Sequence, residues 1–518
     1  MKKHVSLLLI LCMVISLTGC ADSGTGQTAS RSVYEEAGID LSETVTLHGY
    51  VIGTPNRDFN KVWEKVNAML LEDLNCTMEI TYMSWGEYQS LYPLIVSSGD
   101  NIDWIFTGHW CMYSEQASRG AFREITRDEI KTYMPAMYEL LPELAYKQCS
   151  YDGKLYMIPS SSRDKKTDVM ILRADLAEKY GVDLSSIHRF SDIDPYLKAI
   201  KDNEPDMIPI YLNNSDGLWV ALADESDGKL TDSYGIGCYY SFDGNKRPDG
   251  VYSMFDDVIF ESVKRASRIM NTWYQKGYVN PEVLANKVTT RVTFPQGKSG
   301  VCMGNFLDVQ SVLAECDSKG WNTRILLETN ANGHSANESY SNNGIAISFS
   351  SQNPERTMMA LDLIMNDERY INLIQFGIEG EHYILNEDGR VDYPEGVDAS
   401  TTGYNWEETG FWFLNRDKEP PRATWSKEYE HLQEKMVSQV LKDNPCQGFQ
   451  FNVDPVREEY TAVRDVMTRY HRPIQLGMVD DIDAAYEDLK VRLYDAGYER
   501  LLQEYQTQIE AYRKQLGY

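Results

Sequence analysis

After Leu17 the chain has no apolar run long enough to cross a bilayer as a helix. It has no basic surplus either. Lys and Arg number 50 against 78 Asp and Glu, a formal net charge of −28. A surface this acidic repels a phosphate backbone, which excludes nucleic acid as a partner. It also argues against an anionic ligand steered from a distance, although one local basic pocket would override that. Catalytic signatures are absent: there is no GxSxG elbow, HExxH helix, P-loop or GxGxxG after a strand. No two cysteines stand at CxxC spacing and no Asp/Asn series makes an EF-hand loop, so no metal and no cofactor is expected. Phe is scarce, at 15, beside 34 Tyr and 10 Trp. Tyr and Trp pair an apolar face with a polar edge, as a sugar ring requires, and the skew tilts the reading towards carbohydrate.

The amino terminus carries a targeting signal. Lys2 and Lys3 precede the apolar run Val5–Leu17, which ends in Leu17-Thr18-Gly19-Cys20. This ending resembles the lipobox of bacterial lipoproteins. The resemblance implies a signal peptide over 1–19, cleavage before Cys20 and a diacylglycerol on its thiol, an anchor far stronger than one acyl chain. Residues 20–40 then read as the lipidated cysteine and a flexible tether, rich in Gly, Ser, Thr and Ala. The chain is placed on the extracellular face of the cell membrane, held by lipid alone. Of nine cysteines, removing Cys12 and Cys20 leaves seven, an odd number that cannot pair completely within one chain. Several, such as Cys302 between Val301 and Met303, read as small buried hydrophobes.

At 518 residues, two or three domains with ample core are expected. Thr44–Ile52 alternates and is β-branched, a buried strand, and Gly53, Pro55 and Asn56 turn the chain. Phe59, Val62, Trp63, Val66, Leu70 and Leu74 recur at helical spacing. Cys76–Tyr82 is a second strand, Gly86–Ser97 a helix interrupted by Pro93, and Asn101–Thr107 a third strand. Strand–helix–strand–helix–strand predicts an open, mainly parallel α/β sheet, whose ligands bind outside the carboxyl ends of the strands.

This order, with Tyr82-Met83-Ser84-Trp85, Ser98-Gly99-Asp100 and Asp103-Trp104-Ile105-Phe106-Thr107, resembles the amino-terminal lobe of extracellular solute-binding proteins that serve carbohydrate-importing ABC transporters. Tyr151–Pro159 resembles that family's first crossing between lobes. Met170–Leu176 with Tyr180-Gly181 resembles the entry to the second lobe, and Phe294–Val301 the return. Asn353-Pro354-Glu355 opens a helix typical of the family. Phe376–Tyr383 and Gly497–Arg500, leading to Glu504-Tyr505-Gln506 and Ile509, resemble a lipoprotein subgroup with a long helical tail. The resemblance covers nearly the whole chain after the leader. It implies an α/β, periplasmic-binding-protein-like fold of two lobes with a cleft between them. The first lobe is expected from 41–160 and 291–341, the second from 161–290 and 342–450, with helices of 451–518 packed on the lobes. It also implies a monomer that hands a small solute, a mono- or oligosaccharide, to ABC permease subunits.

The tail has its own physics. Asp454-Pro455 reads as an N-cap followed by Pro at the first helical position. Val456, Tyr460, Val463 and Met467 form one stripe, Ile482, Tyr486, Leu489 and Leu493 a second, and Leu502, Tyr505, Ile509 and Tyr512 a third. Asp480-Asp481-Ile482-Asp483 suits a helix start, where carboxylates meet the positive end of the dipole.

The candidate ligand-binding residues are Arg57 after the first turn, Trp85 after the second strand, and Trp110 and Tyr113 after the third. Further along come Arg163, Trp219, Asn305, Asn342, Trp406 and Trp412. Aromatic platforms with planar hydrogen-bonding groups are what a sugar pocket needs. For each, packing or turn chemistry is the alternative role. Trp63 and Trp104 are assigned to the core, and the isolated His109 and His382 to structure. Three other functions stay open: an anchored glycoside hydrolase with two cleft carboxylates, the same fold binding a peptide or other solute, and a sensor that signals to a membrane kinase.

Overall fold

The computed structural model describes residues 34–35, 38–227, 235–239, 250–399, 401–406, 409–444 and 446–518. The signal peptide, Cys20 and most of the tether expected over 20–40 lie outside the described residues.

The first lobe grows from the elements expected of it. Strand β1 (Val45–Ile52), helix α1 (Phe59–Leu74), β2 (Cys76–Met83), helix α2 (Tyr88–Ser98) and β3 (Trp104–Thr107) follow one another, and β1 pairs in parallel with both β2 and β3. The apolar stripe of α1 is buried against this sheet, and the Trp63 indole donates to the Met78 carbonyl at 2.6 Å. Trp104 is fully buried. Two further strands complete the sheet in the order β2-β1-β3-β8-β4: β4 (Ile158–Pro159) and, from much later in the chain, β8 (Gly344–Ile347), antiparallel to β3 and β4.

The second lobe holds a three-stranded antiparallel sheet. Its centre is β5 (Asp168–Arg173), flanked by β6 (Val301–Asn305) and β7 (Thr323–Leu327). This corrects the expected division: residues 301–327 belong to the second lobe, not the first, and 344–347, with the core residues of 358–374 and 411–414, belong to the first, not the second. Val169-Met170-Ile171-Leu172 is buried along its whole length and needs a strand on each edge, which Val301-Cys302-Met303 and Ile325-Leu326 supply. Gly344 carries the matching reason for β8, since a Cβ there would lie 2.4 Å from the Ile158 carbonyl oxygen. The chain thus passes between lobes three times, near 160–167, 328–343 and 415–426. Phe411, Phe413 and Leu414 still pack in the first lobe's core, whereas Tyr429 and Met436 pack beneath the second sheet.

The carboxyl-terminal helices α3 (Arg457–Val466), α4 (Ile482–Asp495) and α5 (Tyr498–Leu516) bury their stripes in the second lobe's core, with Val463, Leu489, Leu493 and Ile509 fully covered. Asp481 caps α4 by accepting from the Ala484 amide at 3.0 Å. The start of α3 differs from expectation. Asp454–Val456 forms one 3₁₀ turn and the α-helix begins at Arg457, because the Asp454 carboxylate pairs with Arg457 instead of capping. The segment also reaches the first lobe. The Gln447 carbonyl accepts from Gln148 Nε2 at 3.0 Å and from the Tyr512 hydroxyl at 2.8 Å. Among the described residues no helix is long and apolar enough to cross a membrane. The seven described cysteines are all buried.

Candidate functional site

A cleft of about 750 Å³ lies between the lobes, a volume within the usual range for small-molecule sites. Its first-lobe wall is made at the carboxyl ends of the parallel strands: Ile52–Thr54 after β1, Trp85 after β2 and Trp110 after β3. Trp412 joins them from a loop clamped over the same strand ends. The Tyr82 hydroxyl donates to the Thr409 carbonyl at 2.7 Å, and Asn56 exchanges two hydrogen bonds with the Asn405 backbone. Gly410 follows at φ +81°, with a Cβ position only 3.0 Å from the Ile52 carbonyl, so this tight approach suits glycine alone.

The three indoles form one surface. Trp85 stacks on Trp110 at 6.0 Å and lies 5.4 Å from Trp412, and Phe106 supports the other two from below at 5.6 and 5.3 Å. Trp85 is 54% exposed, a large apolar face held open towards the cleft.

Opposite the indoles stands a belt of charge from the second lobe and the crossings. Arg291 pairs with Asp308 at 2.7 Å. Asp164, on the first crossing, accepts from Asn342 Nδ2 at 3.0 Å and Asn343 Nδ2 at 2.8 Å, both on the second. It also holds Lys166 at 3.4 Å and Arg416, from the third crossing, at 3.8 Å. Burial opposes the charges of Lys166 and Arg416, but neighbouring carboxylates outweigh it and hold both above their usual ranges. For Lys166 these are Asp164, Glu338 and Asp308, and for Arg416 they are Glu419, Asp164 and Asp308. Burial pushes the Glu419 carboxyl up.

The structure brings together Trp85, Trp110, Asn305, Asn342 and Trp412 of the expected residues. Asn305 Oδ1 accepts from the Leu307 and Asp308 amides, both at 3.0 Å, fixing the turn that carries Asp308. The other five lie elsewhere. Tyr113 begins a short helix after the left-handed Met112, which turns its ring into the first lobe's core, where its hydroxyl donates to the Cys149 carbonyl. Trp219 is buried under the tail, donating to Ser267 Oγ at 2.8 Å and meeting His471 edge-on. Trp406 stacks on Tyr393 at 4.1 Å in a small core of its own. Arg57 is exposed and pairs with Asp58 outside the cleft. Arg163 turns away from the cleft to Asp443 at 2.7 Å and to the Tyr340 ring.

Sequence reasoning missed Asp164, Lys166, Arg291, Asp308, Asn343 and Arg416. Asp164 is adjacent to the chosen Arg163, and neighbours on an extended segment face opposite ways.

One further cluster has metal-ligand chemistry: Asp58, Glu381 and His382, with their donor atoms within 4.8 Å of one another. His382 Nδ1 accepts from the Ile378 amide at 2.9 Å, so the neutral ring carries its proton on Nε2, aimed at Asp58 3.3 Å away. Glu381 is paired with Lys61. The cluster is a hydrogen-bonded clasp between two loops and does not fit an ion.

Comparison with known proteins agrees with this architecture. The family described as Domain of unknown function (DUF3502) matches residues 445–514, the tail. A carbohydrate ABC transporter substrate-binding protein of Streptococcus pneumoniae is 24% identical over 484 residues, 92% of each chain. The polygalacturonan/rhamnogalacturonan-binding protein YtcQ of Bacillus subtilis is 25% identical over 279 residues, 52% of this chain and 53% of its own. Among solved structures, the N-glycan transport solute-binding protein NgtS of Streptococcus pneumoniae superposes with a TM-score of 0.73 at 21% identity, over 91% of this chain and 99% of that one. NgtS in complex with Man1GlcNAc superposes at 0.70 and 22%. The fold is the two-lobe, periplasmic-binding-protein-like α/β fold with carboxyl-terminal helices.

Proposed function

We propose that this chain is the solute-binding component of a carbohydrate ABC importer, which captures a mono- or oligosaccharide between its lobes and presents it to the permease. The observation that carries this reading is the placement of Trp85, Trp110 and Trp412 as one indole surface at the strand ends, facing a belt of planar hydrogen-bonding groups across a cleft bridged by three crossings. Indole faces cover the C–H faces of a pyranose, and guanidinium, amide and carboxylate groups match its hydroxyls. Hinge motion at the crossings closes the lobes on the ligand. The names of the Streptococcus and Bacillus relatives support the same class of cargo. The role is capture, not turnover: Asp164 and Asp308, the carboxylates that line the cleft among the described residues, each hold a cation. The leader Lys2–Leu17 and the Leu17-Thr18-Gly19-Cys20 ending support delivery across the membrane and a lipid anchor on Cys20.

The test is thermal unfolding of protein beginning at Ala21 against mono- and oligosaccharides and short peptides. A ligand at 100 times its dissociation constant adds about 2.7 kcal/mol of stability. A shift with a sugar that is recovered intact is the expected result. A shift with peptides alone, or a cleaved sugar, overturns it.

A further inference from the structure

The charge belt speaks to which sugars enter, and this inference rests on the carbohydrate reading above. A site built for uronates needs a cation whose donors are free to take the ligand's carboxylate, most effectively a forked guanidinium. Among the described residues three cations line the cleft, Lys166, Arg291 and Arg416, and each lies against a carboxylate of the protein, with Lys166 and Arg416 sharing Asp164. Arg291 holds Asp308 at 2.7 Å, Lys166 holds Asp164 at 3.4 Å, and Arg416 lies 3.8 Å from Asp164. Glu338 adds a further carboxylate near Lys166. The approach is no kinder to anions, since the chain's formal net charge is −28.

We propose that the cleft selects neutral oligosaccharides and rejects uronate-containing ones, with Asp308 as the residue that sets this specificity by occupying Arg291. A uronate carboxylate reaching Arg291 must displace Asp308 or stand beside it as a like charge, and neither cost falls on a hydroxyl. A neutral sugar finds at the same pair an N–H donor and a carboxylate acceptor side by side. The selectivity is therefore built from a repulsive element as well as an attractive one.

The test is titration calorimetry of protein beginning at Ala21 at neutral pH and low salt. The probes are neutral gluco-, manno-, galacto- and xylo-oligosaccharides, with oligogalacturonate and alginate oligosaccharides as the uronates. The wild type is expected to bind at least one neutral class about tenfold or more tighter than any uronate. Asp308→Asn frees Arg291 and is expected to raise uronate affinity about tenfold or more. Asp308 is surface-accessible, so the variant should fold, and its melting curve checks this. Arg291→Gln combined with Asp308→Asn removes both charges and is expected to abolish the gain. A wild type that binds a uronate as tightly as the best neutral sugar overturns the inference, as does Asp308→Asn with no gain. Binding of no sugar at all overturns the carbohydrate reading and takes this inference with it.

Discussion

Asn343 Nδ2 lies 2.8 Å from Asp164 Oδ2, a hydrogen bond that fastens the second crossing between the lobes to the first. Asn342 repeats the tie at 3.0 Å, and Arg416 brings the third crossing to the same carboxylate. Asp164 is almost wholly buried yet borders the cleft, so the group that gathers the hinge is also within reach of a ligand. Asp164→Ala leaves two amides and two cations without their shared acceptor. The expected result is a loss of about 2–4 kcal/mol of stability and at least tenfold of sugar affinity, read by denaturant unfolding and calorimetry.

The indole surface predicts a separation of affinity from stability. Trp85→Ala and Trp110→Ala each remove an exposed stacking face, and each should cost about 1–3 kcal/mol of sugar binding, with a melting temperature within a few degrees of wild type. Trp219→Ala should do the reverse. It empties a buried site beside Ser267 and His471 and should cost about 3–5 kcal/mol of folding stability.

Gly410 holds the loop that delivers Trp412. Gly410→Ala forces an L side chain to a positive φ against the Ile52 carbonyl. The expected result is a modest stability loss of about 1–2 kcal/mol and a weakened sugar titration, because Trp412 moves with its loop.

His471 predicts an acid limb. It is buried beneath the tail, and burial, with Arg472 nearby, pushes its imidazolium down from 6.5 to about 3. A depressed basic group is neutral in the folded protein and takes up a proton more readily when unfolded. Its contribution is complete above pH 6.5 and is lost as pH falls towards 3, a difference on the order of 5 kcal/mol. Asp362 works in the opposite sense. Burial raises its carboxyl to about 6, so stability relative to an ordinary Asp falls as pH rises from about 4 to 6. The two slopes offset one another between about pH 4 and 6, so relative to the wild type the unfolding free energy should fall more steeply towards acid in Asp362→Asn and should instead fall towards pH 6 in His471→Phe.

The cysteines give a count. Protein beginning at Ala21 should show no reactive thiol when native and seven after unfolding in denaturant, because all seven are buried and no disulfide joins the described residues. A count of five would identify one oxidised pair, and Cys238 with Cys446, whose thiols touch, are the two placed to form it.

Much of the first lobe was legible because its signals are local. The stripe Phe59–Leu74, the alternation in β1 and the ends at Trp85 and Trp110 each follow from residues close in sequence. The exchange of β6 and β7 with β8 was not legible, because Val301-Cys302-Met303 and Gly344–Ile347 are equally apolar and their partners are far away in the chain. Trp406 and Trp412 illustrate the same limit at the site. Both are tryptophans in one aromatic loop, and only tertiary packing sends one to Tyr393 and the other to the cleft. The charge belt was hidden for a further reason: its members come from four separate stretches of sequence, and each looks like an ordinary surface ion until the lobes face one another.

The late arrival of β8 has a consequence for how the protein is made. Until residue 347 is available, β3 presents an open edge, and Ile105 and Phe106 wait for Ala346 and Ile345. No amino-terminal stretch is a finished unit, so the first lobe closes only after most of the second has been synthesised. A chain interrupted before that point, by truncation or a nick, would be left with a bare strand edge and an apolar sheet face, and should aggregate or be degraded instead of persisting as a half-molecule.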